Sequence, residues 1–217
     1  MSSTSRALAA EFVGTAALLA VVVGSGIMGE RLAGGNMAIA LLANSIATAF
    51  GLFVLITCLA PVSGAHFNPV VSALDAFEGR MPWAGAAGFA LAQFAGAILG
   101  VITAHAMFGL ALLQSGSHAR DTAGERLGEA VATFGLVTLI GLARAHPPAL
   151  VAALVGSYIG AAYWFTSSTS FANPAVSLAR SMTDTFAGIA PASVAAFVAA
   201  QLAGSIAAAL FVRFLKH

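Results

Sequence analysis

The chain has 217 residues, 59% of them hydrophobic and only 8% charged, with a mean hydropathy of +0.94. Soluble domains carry roughly 25% charged residues, so nine Lys and Arg with eight Asp and Glu leave too little polar surface for water, and the solvent of this chain is lipid. A formal net charge of +1 with no basic cluster excludes nucleic acid as a partner, and Cys58, the only cysteine, allows no intrachain disulfide.

A membrane span needs about 20 apolar residues. Taken in chain order, such runs are predicted around Ala7 to Met28, Met37 to Ala60, Trp83 to Leu113, Leu127 to Ala145, Ala149 to Phe165 and Pro191 to Leu215. The first follows Arg6, carries Glu11 and is too long for a cleaved signal segment, so it reads as a retained span. The third exceeds what a bilayer requires and takes in some connecting loop. The fifth is short and opens at Pro147-Pro148. Most connections are brief, leaving room for one domain over residues 1–217 and no second one. Glycine pairs at helical spacing, Gly96 with Gly100 and Gly156 with Gly160, read as sites of close helix contact, and Trp83 reads as an interfacial anchor.

Two connections, Pro61 to Met81 and Thr166 to Ala190, are long, and each contains an apolar stretch too brief to span. Each stretch follows an Asn-Pro pair: Asn68-Pro69-Val70 in the first and Asn173-Pro174-Ala175 in the second. About ten helical residues cover roughly 15 Å, half of a 30 Å hydrocarbon core, so each is predicted to be a re-entrant half-helix. The chain also repeats itself over about 7–113 and 127–215. Glu11-Phe-Val-Gly-Thr15 returns as Glu129-Ala-Val-Ala-Thr133, and Gln93-Phe-Ala-Gly96 returns as Gln201-Leu-Ala-Gly204. Three spans is an odd number, so the second copy enters the membrane from the opposite side and the two half-helices point at each other.

The Asn-Pro pairs carry the chemistry. Proline suits the first helical position and Asn immediately before it is a strong N-cap. With its side-chain oxygen accepting a backbone N–H, each Asn has its amide NH₂ left to point onward, so Asn68 and Asn173 are expected to present donors to a passing water or hydroxyl at mid-membrane. Accepting from both orients the molecule and interrupts any proton wire. Each helix N-terminus carries about half a positive charge. Two of them at about 5 Å, with an effective dielectric of about 20, repel a monovalent cation by about 3 kcal/mol.

The segments Ser63-Gly-Ala-His-Phe-Asn-Pro-Val-Val71 and Phe171-Ala-Asn-Pro-Ala175, with the Glu11 and Glu129 segments, resemble the aquaporin or major intrinsic protein family over nearly the whole chain. The resemblance implies an all-α hourglass of six transmembrane helices and two half-helices, homotetramers in the lipid bilayer with a pore in each subunit, cytoplasmic termini and passive conduction of small neutral solutes. It implies support roles for Glu11 and Glu129, accepting hydrogen bonds from the re-entrant loops, with His66 beside Glu11. Five Lys and Arg against four decide that orientation poorly. Val70 stands where Ala is usual, and Val176 where many members carry the Arg of a narrow filter. Counted back from the motifs, the remaining filter positions fall at Thr48, about Ala161 and Ser170, all small or medium and uncharged. The resemblance to bacterial branches with open filters suggests polyols, urea-sized amides, neutral metalloid hydroxides such as arsenous acid, or methylated arsenicals, in a bacterial inner membrane.

Competing readings attach to several residues. Intramembrane carboxylates such as Glu11 and Glu129 also serve as proton relays, Gln93 and Gln201 read as interhelical hydrogen-bond formers, and His105 as a satisfied histidine rather than a pH gate. Arg180 lies one turn after Val176 and either hangs into the outer vestibule or, the plainer expectation, pairs with Asp184 a turn further on. No nucleotide loop, metal cluster or activated nucleophile is recognisable, so no enzyme activity, cofactor or metal is expected. The alternative function is a secondary transporter, which also uses inverted repeats and broken helices; a closed adhesion relative is a third.

Overall fold

The computed structural model describes residues 3–216. Eight helices follow one another: α1 (Ser3–Leu32), α2 (Met37–Ser63), α3 (Pro69–Phe77), α4 (Trp83–Met107), α5 (Ala123–Ala143), α6 (Pro148–Phe165), α7 (Pro174–Arg180) and α8 (Pro191–Lys216). Six are long and apolar enough to cross a membrane, and the chain is an integral membrane protein. The helices α3 and α7, of 9 and 7 residues, are half-helices. The third apolar run, predicted to reach Leu113, ends as a helix at Met107. Phe108 closes it, and Gly109 turns away at a φ of 65°, a left-handed conformation that suits glycine.

Local chemistry sets the other boundaries. Asn36 caps α2, its Oδ1 accepting from Ala38 and Ile39, and Gly64 ends that helix at a φ of 91°. Thr122 and Glu125 form a reciprocal capping box at the start of α5. Pro148 opens α6 where a missing N–H costs nothing.

Exposed positions on the spans carry large apolar side chains such as Phe50, Leu91 and Phe214, whereas the two carboxylates Glu11 and Glu129 are fully buried. Lipid tails give apolar helices little reason to associate, so contact depends on small residues that let backbones approach. A Cβ on Gly96 would overlap the Phe12 carbonyl oxygen of α1, one on Gly100 that of Ala16, and one on Gly204 that of Ala130 in α5. These glycines fix how closely α1 meets α4 and α5 meets α8. Gly204→Val is expected to cost at least about 2 kcal/mol through forced separation of α5 and α8, read as a lower unfolding temperature of detergent-purified protein. An unchanged unfolding temperature would contradict this packing account.

Both described ends, with the C-terminal ends of α3 and α5, lie on one face of the bundle, here the terminal face; the C-terminal end of α7 lies at the distal face. At the terminal face Asp75 of α3 pairs with His66 at 3.1 Å, Arg80 at 3.1 Å and Arg144, while Lys216 reaches Glu78 at 3.3 Å. This network ties α3 to the loop after α5 and to the last turn of α8.

Candidate functional site

The two re-entrant loops are built alike. Glu11 accepts from the backbone N–H groups of His66 (2.9 Å) and Phe67 (2.7 Å), and Glu129 from those of Phe171 (2.8 Å) and Ala172 (2.9 Å). Gln93 donates to Glu11 at 2.8 Å and to Ser72 at 3.1 Å; Gln201 donates to Glu129 at 2.5 Å and to Ser177 at 2.8 Å. Both carboxylates thus hold irregular backbone inside the membrane, where unpaired N–H groups are costly, and their acceptor sites are engaged by loop and Gln donors. The His66 ring does not reach Glu11 as a partner; it bonds Ser72 at 3.0 Å and Asp75. What these anchors hold is strained. Ala65 and Phe67 in one loop, and Ser170 and Ala172 in the other, have φ between 48° and 53°, each at a cost of about 1 to 2 kcal/mol for a residue other than glycine.

That backbone delivers the two asparagines. Asn68 Oδ1 accepts from Val70 N–H at 3.2 Å; Asn173 Oδ1 accepts from Ala175 at 2.9 Å and Val176 at 3.3 Å, with Pro69 and Pro174 opening the half-helices. The side-chain amides are tied more tightly than the sequence suggested. Asn68 Nδ2 donates to the Ala172 carbonyl oxygen and Asn173 Nδ2 to that of Phe67, each at 2.8 Å. Each cap therefore bonds the opposite loop with one N–H, and one N–H per amide is left over. The positive φ at Phe67 and Ala172 belongs to the very residues whose carbonyls receive these bonds.

A cavity of about 450 Å³ runs past this pair. Arg80, Arg144 and His146 line it toward the terminal face, Asn68 and Asn173 in the middle, and Thr48, Tyr163, Ser170, Val176 and Arg180 toward the distal face. Three of the four positions expected at a filter thus face one passage. Ala161 does not: it is exposed on the outer side of α6. Two helical residues turn the side chain through about 200°, so it is Tyr163, only 3% exposed, that faces the passage, its hydroxyl 3.1 Å from Thr48 Oγ1. The count back from the second motif missed by two residues because nothing in the sequence marks where α6 stops and the loop begins. Ser170 Oγ is buried and has no hydrogen-bond partner among the described residues.

Arg180 is likewise not where the plainer expectation put it. Its Nε donates to the Ala187 carbonyl oxygen and its guanidinium lies over the Phe171 ring, 3.5 Å from the centroid. Asp184 accepts instead from Ser117 Oγ (2.6 Å) and N–H (2.9 Å), and these two bonds hold its carboxyl below the ordinary carboxylate range. Arg120, which the sequence offered no reason to single out, stacks on the same ring at 5.2 Å and donates to Gly188 and Ser168 carbonyl oxygens. His105 is a satisfied buried histidine, bonded to the Leu112 carbonyl oxygen and to Thr183.

The sequence pattern described as Major intrinsic protein matches residues 1–165, and the chain belongs to that family: it is a transmembrane channel with the aquaporin fold. It is 51% identical to Aquaglyceroporin AqpS of Rhizobium meliloti over 211 residues, covering 97% of this chain and 90% of the relative. It is 30% identical to the Glycerol uptake facilitator protein of Streptococcus pneumoniae over 148 residues, 60% of this chain and 61% of that protein. The fold matches the X-ray structure of the aquaglyceroporin from Plasmodium falciparum with a TM-score of 0.71 at 20% identity, over 97% of this chain and 95% of that one. Family membership favours a channel over the secondary-transporter reading.

Proposed function

We propose that the chain is a passive, non-enzymatic conduit for water and small uncharged polyhydroxyl solutes of glycerol size, with Thr48, Tyr163, Ser170 and Val176 setting its width. The observation that carries this reading is the composition of the passage: on the distal side of the Asn68 and Asn173 amides, the uncharged Thr48, Tyr163, Ser170 and Val176 line it together with Arg180, so that hydroxyls at Thr48 and Tyr163 share the lining with the apolar surface of Val176. A polyol needs acceptors and donors for its hydroxyls on one side and a greasy wall for its carbon chain on the other, and this lining supplies both. The Tyr163 ring makes the neck narrower and more polar than Ala161 would have. Neutral hydroxides of similar size, arsenous acid among them, present the same hydroxyl chemistry, and methylated arsenicals add an apolar patch that suits Val176. The names of the relatives, an aquaglyceroporin and a glycerol facilitator, support the solute class.

The same reading takes residues 1–217 as one channel domain of two inverted repeats, about 7–113 and 127–215, assembling as a homotetramer in a bacterial inner membrane with its terminal face in the cytoplasm. Lipid, neutral solutes and identical subunits are its partners. No metal or cofactor takes part.

Val176→Arg tests the filter. A five-donor guanidinium at Val176, which is buried and lines the passage, narrows it. Stopped-flow swelling of proteoliposomes is expected to show a larger fractional loss for glycerol and arsenous acid than for water. Equal losses at equal protein abundance would mean that Val176 sets gating or yield rather than selectivity. No loss for either solute would remove it from the passage.

A further inference from the structure

A second cavity of about 460 Å³ lies at the distal face, lined in part by Ser117, His118, Arg120 and Asp184. Among the described residues, Arg180 is the one side chain that lines both this vestibule and the passage beyond it. It borders both and is 2% exposed. None of the ion pairs among the described residues involves Arg180 or Arg120. A buried cation is ordinarily paired; here Arg180 has the Phe171 face and a backbone carbonyl, which fix the guanidinium plane and leave its terminal N–H groups uncommitted. The loop over it is pinned as well, by Gly116 N–H to Ser181 at 2.9 Å and Ala190 N–H to His118 at 2.7 Å, both to carbonyl oxygens. A flexible surface arginine would be free to swing into water, but this one is held in place by its surroundings.

We propose that Arg180 is a specificity-determining residue of the conduction path, the fixed cation that rejects cations and donates hydrogen bonds to solute oxygens where the vestibule narrows into the pore. The position after the second Asn-Pro-Ala is Val176, so the charge arrives from one turn further along α7, with Phe171 as its support and Arg120 bracing the loop behind. A guanidinium stays charged and presents a rigid fork of donors, and its field is strong where water is scarce. Hydroxyl and carbonyl oxygens can accept from it without carrying charge, whereas a cation meets it before reaching the half-helix termini. This rests on the conduction path assigned under Proposed function.

The test uses the full-length channel in proteoliposomes, with sodium and proton leak measured beside glycerol and water permeability for Arg180→Gln, Arg180→Lys and the double variant Val176→Arg with Arg180→Gln. Glutamine can still donate to the Ala187 carbonyl but has no charge. Its cation leak is expected to rise at least tenfold, while lysine keeps the leak near wild type and the double variant, with a guanidinium returned to the neck, restores exclusion. A purely structural Arg180 predicts that Lys and Gln lose stability alike and leak alike, which would overturn the proposal, as would a folded Arg180→Gln channel with unchanged leak. Should Arg180→Gln not fold, Arg180→Met replaces it in the same comparison with lysine. A wild-type channel that passes neither glycerol nor water sinks the conduction path and this proposal together; a conducting wild type with a tight Arg180→Gln sinks this proposal alone.

Discussion

Glu129→Ala is expected to abolish the folded channel. The carboxylate accepts from Phe171 N–H, Ala172 N–H and Gln201 Nε2, and its removal strands all three in the membrane interior at about 1 to 3 kcal/mol each. A cavity adds to that, and the restraint that keeps Ser170 and Ala172 at positive φ is lost. A total of at least about 5 kcal/mol should appear as aggregation or as loss of the monodisperse peak in detergent. Glu129→Gln retains one acceptor oxygen but sets an NH₂ against the Gln201 amide, so an intermediate stability is expected. Were Glu129 a proton relay instead, Glu129→Gln would fold normally and change only proton flux.

Asn173→Asp is expected to fold and leak. Aspartate still caps α7, because an oxygen remains to accept from Ala175 and Val176. The other carboxylate oxygen, however, replaces the donor that met the Phe67 carbonyl at 2.8 Å and sets a negative charge against both half-helix termini. At about 5 Å and an effective dielectric of about 20 that cancels about 3 kcal/mol of cation barrier, so cation conductance should rise on the order of 100-fold. Planar-bilayer recordings that find no increase, with the protein confirmed in the membrane, would count against the electrostatic account of exclusion.

Much of this architecture was legible because membranes leave few options. Runs of apolar residues interrupted by Glu11 and Glu129 could only be spans, and an apolar stretch too short to cross, opened by Asn-Pro, could only turn back. The twofold Asn-Pro pattern disclosed the caps because capping is local chemistry, set by adjacent residues. The cross-bonds from Asn68 to Ala172 and from Asn173 to Phe67 were not legible, since they depend on backbone turned to positive φ at residues that nothing in the sequence marks as unusual. Tyr163 was missed for a related reason. Helix phase relative to a pore is lost with each loop residue of uncertain conformation, and four such residues, from Thr166 to Thr169, separate α6 from Ser170. Arg180 looked set to pair with Asp184 by helical spacing, but α7 ends at Arg180, so no further turn existed to bring the two together. Arg120 lies in a connecting segment, where spacing says nothing about which ring it covers.

The central claim is that neutral solutes pass this chain passively while ions, protons included, are refused. Proteoliposomes of the wild-type channel loaded with a pH-sensitive dye and placed in inward glycerol gradients of increasing size test it most directly. The account predicts reswelling whose initial rate grows in proportion to the gradient without saturating, with no change in internal pH. A rate that saturates, glycerol accumulated above its external concentration, or an internal pH that moves with glycerol entry would contradict it.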